Sequence, residues 1–189
     1  MDRLKLIGIT GTVLYLLSYL PSLSYIFVVI GSVVLLYVFW EMSKMFKNDK
    51  IFMNFLLGTI FQMAAVGLMY FKLFAVFAAI FIGAFSNNPI IPITSTIVIY
   101  FIAYYIINII GAYFIKESFV AIRQHTNVAL FEYAGILIIL GAVLKIIAVG
   151  FFIEIGGWIL LIVAFLSLAE QKDLPKLEHK KNLIEYKGD

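Results

Sequence analysis

The sequence predicts an all-α, polytopic membrane protein of about six transmembrane helices, with an extra apolar helical segment at 73–85 and both termini on the cytoplasmic side. Three observations predict it. Of 189 residues, 63% are apolar and 13% charged, whereas soluble domains run to roughly half apolar and a quarter charged. The apolar residues gather in uninterrupted runs of the length that a bilayer demands, about 20 residues per helix. The basic residues gather in the segments between those runs.

Leu6 to Leu20 forms the first span, placed at about 5–20. The preceding Met1-Asp2-Arg3-Leu4-Lys5 gives it the look of a signal peptide, but no small-x-small cleavage site precedes a polar mature region, so it reads as a permanent span. Pro21-Ser22-Leu23-Ser24 turns the chain, because proline cannot continue a helix. The second span covers about 24–42 and carries Gly31 and Ser32. Trp40 and Glu41 mark its interfacial end, since tryptophan favours the headgroup level. Lys44, Lys47 and Lys50 follow in one short basic loop.

Ile51 to Phe85 is apolar apart from Lys72. As one helix it would be about 52 Å long against a hydrocarbon core of about 30 Å. The expectation is therefore a third span at about 51–71, divided near Tyr70-Phe71-Lys72 from a re-entrant, interfacial or protruding helix at 73–85. In that segment Ala75, Ala79 and Gly83 fall at four-residue steps, a spacing that permits close helix packing. Ser86-Asn87-Asn88-Pro89, Pro92 and Thr94-Ser95-Thr96 form an uncharged loop and a helix start. The next span covers about 95–116, and Lys116 to Asn127 continues it as a charged, mildly amphipathic connection.

The final hairpin places spans at about 128–149 and 153–169, with a tight turn at Gly150-Phe151-Phe152 and Gly156-Gly157 opening the last helix. Residues 1–169 thus form a single transmembrane bundle. Residues 170–189 are charged, contain Pro175 and read as a cytoplasmic tail that is flexible or at most marginally helical.

Six spans with the N-terminus inside put twelve of the fourteen lysines and arginines on one side: Arg3 and Lys5, Lys44, Lys47 and Lys50, Lys116 and Arg123, and five in the tail. Only Lys72 and Lys145 fall elsewhere. The positive-inside rule makes that side the cytoplasm. A full seventh crossing at 73–85 would export Lys116, Arg123 and the tail. There is also an internal echo: Leu14, Gly31, Leu35 and Phe39 match Leu140, Gly157, Leu161 and Phe165 at a constant offset of 126. Either two Leu/Gly-rich hairpins align by composition, or the first and last hairpins are parallel copies, an arrangement that transporters use.

Ionisable and polar groups within the spans are the candidate functional positions. Gln62 and Asn108 lie near mid-membrane on neighbouring spans, as an interhelical amide pair or as the lining of a polar path. Lys145 and Glu154 flank the last turn and read as an ion pair or as snorkelling anchors. Lys72 shares their depth. Glu132 faces headgroups, Arg123 or a cavity.

Enzyme templates find no purchase. The chain has no cysteine and only His125 and His179, so cysteine-ligated and His-rich metal sites are excluded. All four aspartates lie outside the spans, and no G-x-S-x-G, P-loop or GxGxxG occurs. We expect no enzymatic activity, no cofactor and no nucleic-acid partner. The basic residues are the topology signal, interleaved with Glu41, Asp49, Glu117, Glu170, Asp173, Glu178 and Glu185.

A Tyr/Leu-rich first hairpin broken at Leu20-Pro21, a KESF-type loop before Val128 to Gly135, and the closing run Trp158-Ile159-Leu160-Leu161-Ile162-Val163-Ala164-Phe165 together resemble the archaeal and bacterial integral membrane family known as domain of unknown function 996. The resemblance covers the chain to about Glu170 and implies fold and membrane location alone. The expected role is a non-enzymatic multi-pass component of the cell membrane, in contact with lipid and packing with itself or other membrane proteins. The alternative is a small transporter or channel with a polar path near Gln62 and Asn108.

Overall fold

In a computed structural model, which describes residues 2–20, 24–84 and 90–170, every regular element is helical. The order is α1 (Asp2–Leu17), α2 (Ser24–Phe46), α3 (Asp49–Ala84), α4 (Ile90–Thr126), α5 (Ala129–Leu144) and α6 (Val149–Glu170), with a short 3-10 turn at Lys145–Ile147. The expected turn at Pro21, the loop at 86–89 and the tail beyond Glu170 lie outside the described residues.

Each helix packs on its neighbours in sequence, and α1 closes the ring against α6. The helices are apolar on most of their circumference, which suits a protein whose surroundings are as apolar as its core. Leu6, Ile26, Val33, Ile60, Ile106 and Val163 point outward while Leu35, Phe39, Phe55, Phe131 and Leu161 fill the interior.

Among the described residues, five helical segments are long and apolar enough to cross a membrane: Ile26–Phe46, Asp49–Leu68, Thr94–Thr126, Ala129–Ile147 and Val149–Leu168. The first expected span is shorter, 16 residues. It tightens at its end, where Ser18, Tyr19 and Leu20 donate backbone hydrogen bonds only three residues back. Leu20 precedes Pro21, and a residue before proline is pushed out of the α region.

Two boundary expectations are corrected. The chain does not divide at Tyr70-Phe71-Lys72: α3 runs unbroken for 36 residues, about 54 Å at the helical rise. Lys72 is one polar residue in a run of good helix formers, and nothing there removes a backbone hydrogen bond. Segment 73–84 is therefore an extension of the third helix. The last turn also lies earlier than expected. Ala148 takes the left-handed conformation, φ 58, and its N–H bonds Lys145 O at 3.2 Å, so Gly150 already belongs to the first turn of α6.

The ends near the basic residues are built locally. Lys47 (φ 51) and Asn127 (φ 55) end α2 and α4 in the left-handed conformation, and the Asn48 N–H closes back on Ser43 O at 3.0 Å, as in a Schellman cap. Asn48 Oδ1 accepts from Lys50 N at 3.1 Å, satisfying a free donor at the start of α3. The Lys116–Asn127 connection is helical through Thr126, a direct continuation of α4.

At this end the core is aromatic. Phe39 stacks on Phe55 with ring centroids 3.8 Å apart and on Phe119 at 5.6 Å. Phe131 meets Phe119 and Phe165 edge to face, a favoured geometry for ring quadrupoles. These five rings come from α2, α3, α4, α5 and α6, and all are buried.

Candidate functional site

Away from the aromatic layer, the other half of the bundle holds a chain of polar side chains, and glycines make room for it. A Cβ on Gly58 would stand 2.9 Å from Gly111 O, and one on Gly111 would stand 3.1 Å from Gly58 O. α3 and α4 thus nearly touch one turn below Gln62 and Asn108. Between α5 and α6, a Cβ on Gly141 would reach the Glu154 backbone N at 2.7 Å, and one on Gly150 would come 2.2 Å from Gly141 O. Those glycines let the start of α6 lie flat on the end of α5, and so place Glu154 beside Lys145.

Asn108 Nδ2 donates to Gln62 Oε1 at 2.9 Å, and Gln62 Nε2 donates to Asn108 O at 3.3 Å. Asn108 Oδ1 in turn accepts from Lys145 Nζ at 3.2 Å. The Lys145 ammonium also lies 2.6 Å from Glu154 Oε2. Gln62, Asn108, Lys145 and Glu154 therefore form one continuous polar chain across α3, α4, the 3-10 turn and α6. Gln62, Asn108 and Glu154 are buried, and Lys145 retains slight exposure. The sequence suggested two separate pairs, and Asn108 Oδ1 is the atom that joins them.

Two tyrosines and a tryptophan extend the group. The phenols of Tyr15 and Tyr19 lie close enough to Glu154 to interact with its charge. Tyr15 packs on Trp158 with ring centroids 4.2 Å apart. The Trp158 indole Nε1 is buried without a hydrogen bond of good geometry among the described residues, with the Tyr19 hydroxyl beside it. The sequence offered no functional signal at Tyr15 or Tyr19, and named Trp158 only as the start of the closing apolar run. Glu154 and Trp158 stand four residues apart, on one helix face, and that spacing was the available signal.

Two spaces adjoin the chain. A void of about 10 Å³ touches Gln62, Ser32, Thr59, Tyr15 and Trp158, the size of a single water site. A larger cavity of about 190 Å³, open on one side, is lined by Phe101, Tyr104, Tyr105, Lys145, Ile146 and Phe151. On its rim the Tyr105 hydroxyl donates to Val143 O at 2.6 Å, satisfying a carbonyl near the end of α5.

The other candidate positions lie apart. Glu132 pairs with Arg123 at the basic end of the bundle, the partner that the sequence offered it, and does not join the polar chain. Lys116 bonds its neighbour Glu117 at 2.7 Å. Ala75 is half-buried on the α3 extension, while Phe74, Phe77 and Phe81 around it are exposed. The side chains of Lys72, Ala79 and Gly83 lie outside what the structure describes. No group of three or more potential metal ligands occurs among the described residues.

Residues 27–159 match the family described as protein of unknown function (DUF996). An uncharacterized protein of Methanocaldococcus jannaschii is 31% identical over 173 residues, 90% of this chain and 94% of that relative. No solved structure matches the chain. The chain belongs to the DUF996 family.

Proposed function

We propose that the protein is a non-enzymatic, multi-pass component of the cell membrane, crossing six times with both termini in the cytoplasm and packing with itself or with partner membrane proteins. The observation that carries this reading is the mutual engagement of the interior polar groups. Gln62, Asn108, Lys145 and Glu154 bind one another, and the aromatic layer of Phe39, Phe55 and Phe119 closes the basic half of the bundle. Such a chain holds α3, α4 and α6 in register around the 3-10 turn. α1 supports the sixth crossing because it completes the ring between α2 and α6. The α3 extension, with Phe71, Phe74, Phe77 and Phe81 exposed, supplies the surface for assembly. Its test is disulfide crosslinking of Ala79→Cys in native membranes, where the background contains no other cysteine. Self-assembly or partner assembly gives a crosslinked species of defined mass; a monomeric band under oxidation contradicts it.

A transport reading has one observation in its favour: the polar chain ends at a void beside Gln62 and at a cavity beside Lys145. Local opening of α4 would connect them. Purified protein in liposomes tests this reading, through solute flux that Asn108→Leu abolishes.

A further inference from the structure

The cavity beside Lys145 has the chemistry of a binding site, and the geometry points to a membrane-dissolved lipophile carrying one uncharged carbonyl oxygen, as in a ketone or ester, held by the Lys145 ammonium. The first step is a count of donors. A lysine ammonium has three N–H groups: Asn108 Oδ1 accepts one, while Glu154 Oε2 faces the ammonium as an ion-pair partner at 2.6 Å without a hydrogen bond of good geometry. The same ammonium lines the 190 Å³ cavity, so a donor remains for an occupant there. The second step is charge. Glu154 is buried 2.6 Å away and already neutralises Lys145. A bound anion would leave an uncompensated negative charge in a low-dielectric place, whereas a neutral acceptor completes the ammonium at no such cost.

The walls define the rest of the ligand. Phe101, Tyr104, Tyr105, Ile146 and Phe151 offer aromatic and aliphatic faces, as expected around the apolar body of a ligand whose polar atom is fixed at one point. The volume suits one ring system or a single chain end, with any longer tail leaving through the open side. Phe101 and Phe151, both within helical segments long and apolar enough to cross a membrane, are themselves exposed to the surroundings of the bundle, so entry is from the bilayer. The site is independent of the assembly role proposed above, because none of its described lining residues lies on the α3 extension.

The test uses an alkylbenzophenone, whose carbonyl is both the acceptor and the photoreactive group, with the full-length protein in lipid nanodiscs. Irradiation and peptide mass spectrometry are expected to place the adduct on Tyr104, Ile146 or Phe151, above the lipid-facing Ile159 and Val163. Lys145→Met should lower that labelling about fivefold, the effect of losing one hydrogen bond. Ile146→Trp, at an exposed position, should block it by filling the cavity even if Lys145→Met disturbs the fold. A dialkyl ketone should compete and an alkane of equal length should not. Replacing ester-linked with ether-linked nanodisc lipids separates sources: a rise in labelling identifies a lipid ester as the resident ligand, and no change identifies a separate lipophile, both at this site. Labelling spread evenly over lipid-facing residues and unaltered by Ile146→Trp would overturn the proposal. So would competition by a fatty carboxylate stronger than by the ketone.

Discussion

Lys145 Nζ and Glu154 Oε2 lie 2.6 Å apart across the 3-10 turn that joins the last two helices, with the Glu154 side chain 2% exposed. Buried ion pairs contribute little net stability because desolvation offsets attraction, but breaking one leaves a bare charge. Lys145→Met or Glu154→Leu alone should therefore cost about 3–5 kcal/mol. The double variant Lys145→Met/Glu154→Leu should recover most of that loss. Unfolding titrations in mixed micelles measure all three, and equal loss in single and double variants would show that the charges do not act as a pair.

The amide pair should couple more weakly. An interhelical hydrogen bond within a membrane bundle averages about 0.6 kcal/mol and reaches about 1.7 kcal/mol. A double-mutant cycle on Gln62→Ala and Asn108→Ala should return a coupling in that interval. Because Lys145 also bonds Asn108 Oδ1, Asn108→Ala should be the costlier single change. Equal single costs would place Lys145 outside the network.

Glycines at the contact between α5 and α6 have no room for a methyl group. Gly150→Ala would bring Cβ to 2.2 Å from the backbone of Gly141, forcing the helices apart at a cost of roughly 1–3 kcal/mol. Gly141→Ala meets the Glu154 backbone at 2.7 Å and should behave similarly. Gly156, in the same helix with nothing within 4 Å, is the control. Gly156→Ala should be neutral or mildly stabilising through helix propensity.

Ala148 holds a positive φ of 58, a conformation that costs an L-residue about 1 kcal/mol. Ala148→Gly should relieve this strain and leave the Lys145 to Glu154 contact in place. The expected result is stability unchanged or raised by up to about 1 kcal/mol, read by the same titration. A clear loss would mean that the Ala148 methyl group has a packing role.

Helices were legible in the sequence because apolar run length and basic residue placement are one-dimensional signals. The paired roles of Gln62 with Asn108, Lys145 with Glu154, and Glu132 with Arg123 followed from depth alone. Their connection did not, because it hangs on the second acceptor of Asn108, whose position depends on how closely Gly58 and Gly111 bring α3 to α4. The small-residue spacing at Ala75, Ala79 and Gly83 concerns a face on the α3 extension and carried no signal about the glycines that pack inside the bundle. Gly141 and Gly150 make the closest approach, yet they lie on different helices and share no spacing. Of the repeat at offset 126, Gly31 and Gly157, Leu35 and Leu161, and Phe39 and Phe165 are all buried, whereas Leu14 is half-buried and Leu140 exposed. The turn after α5 was misplaced because Ala148 takes a conformation usually reserved for glycine.

In the proposed arrangement the bundle is closed on its basic side and its interior polar groups are engaged by one another. Single cysteines at Lys47, Gln62, Asn108 and Ile146, labelled in intact cells with a membrane-impermeant maleimide, test it most directly. The expected result is labelling of Ile146→Cys from outside, labelling of Lys47→Cys only after permeabilisation, and none of Gln62→Cys or Asn108→Cys in either case. Labelling of Gln62→Cys and Asn108→Cys in intact cells would reveal a water-filled path, and labelling of Lys47→Cys from outside would invert the topology; either would contradict it.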